Sequence, residues 1–237
     1  MARIKIEADK KREVVIERIK AVARQQMQME GAAALSLRAI ARELDITAPA
    51  LYRYYADRDA LITDLILDAF NALADYVEER DHALPPEQYA DRLYTALINY
   101  RQWSLDHAVD FELIYGSPIP GYTAPAELTV PAAARMFHII VGILDGAYRA
   151  GILKPTAHLE HISPSVAAHL AQMSTADGYN VPPILLAVAS LGWAHIHGII
   201  MLEVHHHLPP VVGDVDAFYR HDVLGLLESM NMHPTIP

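Results

Sequence analysis

The stretch LRAIARELDITAPALYRYYADRDALI, from Leu37 to Ile62, decides the fold of the N-terminal part of this chain. From Leu37 to Leu44 its apolar residues recur at the three- and four-residue spacing of one helix face. The tripeptide Asp-Ile-Thr then interrupts the pattern, and Thr47 stands where it can cap a further, shorter helix. Two helices joined by a turn of three or four residues predict a helix-turn-helix.

Local residues mark the ends of these two helices. Ser36 can cap the first, and Pro49 falls in the first turn of the second, where a missing N–H costs little. Asp45 lies in the turn, where we expect a left-handed backbone that aspartate tolerates better than most residues. A preceding helix, expected from about Lys10 to Met29, would complete a three-helix domain.

The outward side of the second helix carries groups suited to a DNA duplex, since this helix of the motif enters the major groove. Arg53 is the expected base contact, because its fork matches N7 and O6 of guanine. Tyrosine hydroxyls and Arg58 suit phosphate oxygens, and Ala48 and Pro49 suit thymine methyl groups. The predicted DNA-binding residues are Ser36, Thr47, Ala48, Pro49, Tyr52, Arg53, Tyr54 and Arg58.

The charge of the chain is unevenly distributed. The formal net charge is −10, yet residues 1–60 carry 12 Lys and Arg against 9 Asp and Glu, a balance of +3. The remaining residues carry 7 against 20, a balance of −13. A basic head on an acidic body indicates that the head meets a polyanion. On pattern alone, a three-helix packing unit with solvated tyrosines remains an alternative.

Helical spacing, broken by Pro and Gly, continues through the rest of the 237 residues, and no alternating run indicates a strand. The sequence therefore predicts an all-α fold, with a helix-turn-helix domain over residues 1–60 and a larger helical domain over residues 61–237. The absence of cysteine excludes disulfides, zinc–thiolate sites and cysteine nucleophiles. It suits a reducing compartment, and with no signal peptide visible we expect a cytoplasmic protein.

One stretch, Ile184 to Leu202, contains no Asp, Glu, Lys or Arg and is about long enough to span a bilayer. His195 and His197 near its middle argue against a membrane span, because polar groups are costly in lipid. We expect instead a helix covered by protein on all sides, and no membrane partner.

The N-terminal stretch resembles the DNA-binding domain of the tetracycline-repressor (TetR) family over about residues 14–62. The family pattern is an IA…LGVS…LY.YF..K..L run that follows one helix. Matching residues are Ile40-Ala41, Leu44, Ile46-Thr47, Leu51-Tyr52, Tyr54-Tyr55 and Leu61. Asp45, Tyr55 and Arg58 replace the usual glycine, phenylalanine and lysine, and each keeps the physical role. The resemblance implies that Tyr52 and Arg58 grip phosphates.

The resemblance also implies a homodimeric regulator, most often a repressor, that binds palindromic operator DNA and is released by a small-molecule effector. A constitutive DNA-binding protein without a ligand is one alternative. An all-helical enzyme with a structural head is another, although the sequence shows no nucleophile elbow, phosphate loop or metal-ligand motif. No enzymatic activity and no cofactor are therefore expected.

A dimer needs a self-complementary surface, and we expect the uncharged helix and the last helix, about Val215 to Met230, to provide it. Small residues on the uncharged helix allow close helix approach and large apolar ones supply area. The predicted interface residues are Leu185, Ala189, Gly192, Ile196, Ile199 and Leu202.

The larger domain also resembles the body of a TetR subgroup with a Trp-His-Gly signature, matched here by Trp193, His197 and Gly198. In that family the body binds a small molecule. The candidate ligand-binding residues are Tyr94, Trp103, His107, Phe111, Phe137, His138, Met173 and Trp193. Aromatic residues at helical spacing are also common in a plain core.

The 13 histidines raise the question of a metal site. His195 and His197 are two residues apart and point about 200° from each other on a helix, so they would not chelate together. His158 and His161 are three apart and could. No carboxylate or cysteine completes a set, and no metal site is predicted.

Overall fold

The structure of the protein, a computed structural model, describes residues 2–155 and 162–235. Within these ranges the chain is helical and has no β-strand, which confirms the predicted all-α fold. The α-helices are α1 (Ala2–Glu30), α2 (Leu37–Glu43), α3 (Ala48–Leu51), α4 (Arg58–His82), α5 (Tyr89–Asp106), α6 (Ala108–Tyr115), α7 (Ala126–Arg149), α8 (Pro164–Ala176), α9 (Pro183–Val204), α10 (Pro209–Val212) and α11 (Val215–Ser229). A short 3₁₀ turn, Ala32–Ala34, lies between α1 and α2.

The chain forms two compact units, and each is assembled from two separate stretches of sequence. The N-terminal unit comprises Met1–Phe70 and His107–Ala132, and the C-terminal unit comprises Asn71–Asp106 and Ala133–Pro237. The unit that holds α2 and α3 therefore also includes α6 and the segment 116–125. The functional division at residue 60 stays a prediction.

Apolar residues from four helices form the core of the N-terminal unit. Ile19, Ile40, Leu51 and Leu61, one each from α1 to α4, are fully buried there. Burial of each of these side chains contributes roughly 1.5–3 kcal/mol to the free energy of folding. Packing rather than helix propensity therefore holds the four-residue α3 in place. Side chains of α6 and of the segment after it pack on the same core: Val109, Leu113, Ile114, Ile119 and Tyr122.

Backbone geometry confirms the predicted ends of α2 and α3. The Ser36 hydroxyl oxygen accepts a hydrogen bond from the Ala39 N–H at 3.4 Å, and the Thr47 hydroxyl oxygen accepts one from the Ala50 N–H at 3.3 Å. Asp45, in the turn, has a φ of 53° and is therefore left-handed, as the sequence predicts. These local contacts fix where the helix-turn-helix begins and turns.

A buried charged cluster joins α1, α4 and α6. This Lys20 cluster consists of Lys20, Arg24, Asp64, Asp68 and Asp110. Lys20 Nζ lies 3.0 Å from Asp64 Oδ2 and 2.8 Å from Asp68 Oδ2. Arg24 Nε donates to both carboxylate oxygens of Asp110, at 2.8 and 3.0 Å. Burial works to lower the pKa of Lys20, but its hydrogen bonds to Asp68 and Asp64 outweigh burial and raise that pKa above its usual value.

One guanidinium group joins three helices of the C-terminal unit. Arg101, on α5, donates through Nε and Nη2 to the two carboxylate oxygens of Glu203 on α9, each at 2.7 Å. Its Nη1 donates to Asp216 on α11 at 2.8 Å. Nearby, the fully buried Tyr219 hydroxyl donates to the Leu97 carbonyl at 2.8 Å. Polar contacts as well as apolar packing therefore set how α5, α9 and α11 meet.

The uncharged helix foreseen at residues 184–202 is α9. By length and composition, α7 and α9 could each cross a membrane, but interior helices of globular proteins meet the same criteria. The expectation that protein covers α9 on all sides is not met by this chain alone. Leu191, Trp193 and Leu202 are 52%, 46% and 47% exposed. Leu191 and Leu202 share one side of α9, and Trp193 lies about 160–180° around the helix from them.

Replacing Lys20 by methionine is expected to lower the free energy of unfolding by about 2–4 kcal/mol, because Asp64 and Asp68 would lose their shared counter-charge. Urea denaturation followed by circular dichroism measures the change. Lys10→Met removes an exposed ammonium from the same helix and is expected to change stability by less than about 0.5 kcal/mol. Equal stabilities of the two variants would show that the Lys20 cluster does not stabilise the fold.

Candidate nucleic-acid interface

The outward side of α3 and the turn after it carry most of the predicted DNA-binding residues. Thr47, Pro49, Tyr52 and Arg53 are exposed, and Ser36, Ala48, Tyr54 and Arg58 are half-buried. Leu51, on the inner side of α3, is fully buried. Because this leucine is fixed in the core, α3 cannot rotate its outward residues away from solvent. Their role in DNA binding stays a prediction.

Tyr55 anchors the turn that follows α3. Its side chain is buried, and its hydroxyl donates to Asp64 Oδ2 at 2.6 Å. Burial, together with this hydrogen bond, raises the pKa of the Tyr55 hydroxyl far above its usual value, so the group remains a proton donor. Tyr52 and Tyr55, three residues apart, therefore differ in role, since Tyr52 is directed to solvent and Tyr55 to the core.

Arg58 has partners that sequence reasoning did not foresee. Its Nε donates to the Leu35 carbonyl at 3.1 Å, and its Nη2 donates to the carbonyls of Ala32 and Ala33 at 3.1 and 2.9 Å. Its Nη1 lies 3.9 Å from Asp59 Oδ1. The guanidinium thus ties the start of α4 to the 3₁₀ turn before α2. These bonds position the motif, and the phosphate contact of Arg58 stays a prediction.

Two family models match the sequence. The model of the bacterial regulatory proteins of the tetR family matches residues 19–65. The model of the tetracyclin repressor-like C-terminal domain matches residues 93–226, more than half of the chain. The chain belongs to the TetR family. The first match covers α2, α3 and the turn between them, which agrees with the predicted helix-turn-helix.

Known relatives of this TetR-family chain are named as regulators. The HTH-type transcriptional regulators Rv1816 of Mycobacterium tuberculosis and Mb1846 of Mycobacterium bovis are each 33% identical over 195 residues, 81% of this chain and 82% of theirs. The crystal structure of SCO4313, described as a regulatory protein, is 31% identical, with a TM-score of 0.76 over 93% of this chain and 98% of that one. A tetR-family protein from Rhodococcus RHA1, 16% identical with a TM-score of 0.64 over 92% and 97%, shows the fold alone.

The eight residues predicted to bind an effector of this TetR-family protein do not all lie in one unit. His107 and Phe111 belong to the N-terminal unit, and the other six belong to the C-terminal unit. Tyr94, Trp103 and Phe111 are buried, Phe137 and Met173 are half-buried, and His107, His138 and Trp193 are exposed. Their ligand-binding role stays a prediction.

Phe137 and His138, on α7, share an aromatic partner that the sequence does not reveal. The Tyr179 ring stacks on His138 with centroids 4.1 Å apart and meets Phe137 edge-on at 5.7 Å. Burial raises the pKa of the Tyr179 hydroxyl, and the charge of Asp177 adds to the effect. Since Tyr179 lies in the loop after α8, no local spacing rule connects it with α7.

The Trp-His-Gly residues lie on α9. The rings of Trp193 and His197 are 5.3 Å apart, and the Tyr100 hydroxyl lies 2.6 Å from His197 Nδ1. Burial lowers the pKa of His197 below its usual value, so the ring is neutral at pH 7. A neutral imidazole lets Nδ1 accept a hydrogen bond from the tyrosine hydroxyl.

Four of the six residues predicted to form the dimer interface are buried within their own chain. Leu185 and Ile196 are fully buried, and Ala189 and Ile199 nearly so, because they pack on the interior of the C-terminal unit. Their role in a dimer interface stays a prediction. Leu202 is exposed and lies on the other side of α9, whereas the half-buried Gly192 lies on the same side as these four residues.

Within residues 2–155 and 162–235, no group of three or more His, Cys, Asp or Glu residues is placed to hold a metal ion. His195 Nε2 lies 2.8 Å from Asp222 Oδ2 on α11, an ion-pair geometry between two helices rather than a chelate. His158 and His161 lie outside the described residues.

Arg58→Lys is expected to lower the free energy of unfolding by about 1–2 kcal/mol although the charge is kept. An ammonium cannot reproduce the fork that bonds three separate carbonyls. Calorimetric unfolding measures the loss, with Arg53→Lys on the exposed side as the matched control. If both variants melt like the parent protein, the three carbonyl bonds of Arg58 do not stabilise the motif.

Proposed function

We propose that this TetR-family protein is a cytoplasmic transcriptional regulator that acts as a repressor. It binds palindromic operator DNA as a homodimer, and a small-molecule effector releases it from the DNA. The observation that carries the proposal is that Thr47, Pro49, Tyr52 and Arg53 are exposed on the outward side of α3, its N-cap and the turn after it. It stands in the part of the chain where the charge balance is positive. An acidic remainder would orient that part toward a polyanion.

The exposed side of α9 supports the homodimer. Leu191, Ala194, Gly198 and Leu202 are all exposed and follow one another at helical spacing. Because the stripe contains no charged residue, it leaves apolar area in water, which a second copy would cover. The small residues in the stripe permit two copies of α9 to approach closely.

The exposed side of α11 extends the same proposal. Ala217, Phe218, His221 and Gly225 are exposed on one face of that helix. The helices α9 and α11 pack on each other and are linked by the His195–Asp222 pair. A twofold axis beside them would assemble four helices, two from each copy, and would pair two copies of α3 for two half-sites of a palindrome.

Control by an effector is supported by the match to the TetR C-terminal model and by the aromatic group of Phe137, His138 and Tyr179, of which Phe137 and Tyr179 are half-buried. Membership of the Trp-His-Gly subgroup is part of this proposal and rests on Trp193, His197 and Gly198. A ligand acts by favouring one of two conformations of the dimer, so it must bind the two with different affinity. If no ligand changes DNA affinity, the protein is a constitutive regulator.

The DNA-binding proposal is tested by selecting duplexes from a random-sequence pool and measuring affinity by gel shift. Arg53→Ala is expected to relax base preference at one position of each half-site, with a loss of about 1–3 kcal/mol on the selected sequence. Tyr52→Phe is expected to weaken binding to all sequences alike. A parent protein that ignores every duplex even at low salt would refute the proposal.

The dimer is tested by placing a charge on the exposed stripe of α9. Leu202→Glu is expected to shift sedimentation equilibrium from dimer toward monomer and to weaken operator binding, because two buried carboxylates would face each other across the twofold axis. Leu128→Glu adds the same charge at a similarly exposed leucine of the N-terminal unit and should leave the dimer intact. A parent protein that sediments as a monomer at all concentrations would exclude this assembly.

A further inference from the structure

A basic group lies in the N-terminal half of α1, and its member Arg12 meets the turn after α3. Lys10, Lys11 and Arg12 are consecutive and exposed in the N-terminal half of α1. The Arg12 guanidinium carbon lies 5.6 Å from the centroid of the Tyr54 ring, so α1 and the turn after α3 meet at this pair. Neither the motif pattern nor its DNA-binding residues include this part of α1.

The contact with Tyr54 is of a kind that orients a guanidinium without using up its hydrogen bonds. A cation over an aromatic ring is held by the ring's electrons, and the donors at the edge of the guanidinium plane stay available. Those donors, in a fixed fork, match the oxygens of a phosphate. Tyr54 can thus hold Arg12 ready for an anion.

The position of the pair indicates which anion. Tyr54 directly follows Arg53, the predicted base contact, and Arg53 and Arg12 are both exposed. The major groove is about 12 Å wide, and phosphates line both of its edges. A helix seated in the groove therefore places its flanking residues at the phosphate backbone, and Arg12 flanks α3 on the Tyr54 side.

Glu13 and Glu17 follow Arg12 on α1, and neither lies on the side of that helix that meets Tyr54. Glu17 is directed toward Lys20, with Glu17 Oε1 3.9 Å from Lys20 Nζ, and so lies on the side that meets α4. Glu13 is exposed and lies about 100° around the helix from Arg12. The side of α1 that meets Tyr54 presents the cation.

We propose that Arg12, held by the ring of Tyr54, forms an additional contact to the DNA phosphate backbone, outside the helix-turn-helix. This inference rests on the proposed DNA-binding function. It also changes the role of Tyr54, whose ring face supports Arg12, whereas a phosphate contact of its own would use the hydroxyl.

The test measures the salt dependence of binding to a labelled random-sequence duplex about 30 bp long, or three helical turns. The logarithm of affinity falls by about 0.9 per decade of salt for each phosphate neutralised. Arg12→Ala is expected to reduce that slope by about 0.9 for each head and to weaken binding roughly tenfold per head at about 0.1 M salt. The matched control is Arg18→Ala, which removes an exposed arginine elsewhere on α1. Its slope should differ from the parent slope only by the small effect of losing one positive charge that does not touch DNA.

Two further variants separate the ring of Tyr54 from its hydroxyl. Tyr54→Phe keeps the ring and should keep the parent slope, whereas Tyr54→Leu should lose as much slope as Arg12→Ala. In the double variant Arg12→Ala with Tyr54→Leu, the losses should not add, because each removes the same contact. Circular dichroism of each variant checks that the helices are retained.

The outcomes separate this inference from the function on which it rests. If the parent protein binds DNA and Arg12→Ala has the same slope as the parent, or the same reduced slope as Arg18→Ala, the Arg12 contact is refuted and the regulator remains. A loss of slope in Tyr54→Phe would assign the phosphate contact to the hydroxyl and also overturn the inference. A parent protein that binds no duplex overturns both proposals together.

Discussion

The helix-turn-helix depends on where α1 lies against α4, and the buried ammonium of Lys20 constrains that position. Apolar contacts such as those of Ile19 and Leu61 are non-directional and constrain the offset of the two helices less than an ion pair does. An ammonium between two carboxylates has one good position, because displacement would leave a buried charge without its partner. The same carboxylate of Asp64 receives the Tyr55 hydroxyl, so the turn after α3 is set by the same group of charges.

Guanidinium groups act at several of the places where segments meet. Arg58 bonds the carbonyls before α2, Arg101 joins three helices of the C-terminal unit, and Arg24 ties α1 to α6. Each contacts two or more acceptor atoms, and Arg58 and Arg101 do so through the planar fork, whose geometry a lysine does not reproduce. In a chain with only 19 basic residues and an acidic total, several arginines are therefore structural.

Features that follow from local rules could be predicted from the sequence. The caps at Ser36 and Thr47 and the left-handed Asp45 depend on neighbours within a few residues, and the helical spacing fixed the all-α class. Features that depend on distant partners could not. The carbonyls that engage Arg58 lie more than 20 residues before it, and Tyr179 lies about 40 residues after Phe137. The side of α9 left exposed is decided by the helices packed on the other side. The run of uncharged residues from Ile184 to Leu202 gave no sign of which side that would be.

The discontinuity of the N-terminal unit has a consequence for how the chain folds. The core around Ile19 and Leu51 is flanked by Val109, Leu113 and Tyr122, which the ribosome delivers some tens of residues after α4. The Thr63 and Tyr122 hydroxyls also lie 2.9 Å apart, so the last part of this unit closes onto its first part. A nascent chain that ends before residue 109 leaves the flank of that core in water. Completion of the N-terminal half must then wait for a long loop to close, which slows folding and lengthens the time for which apolar surface is open to chaperones.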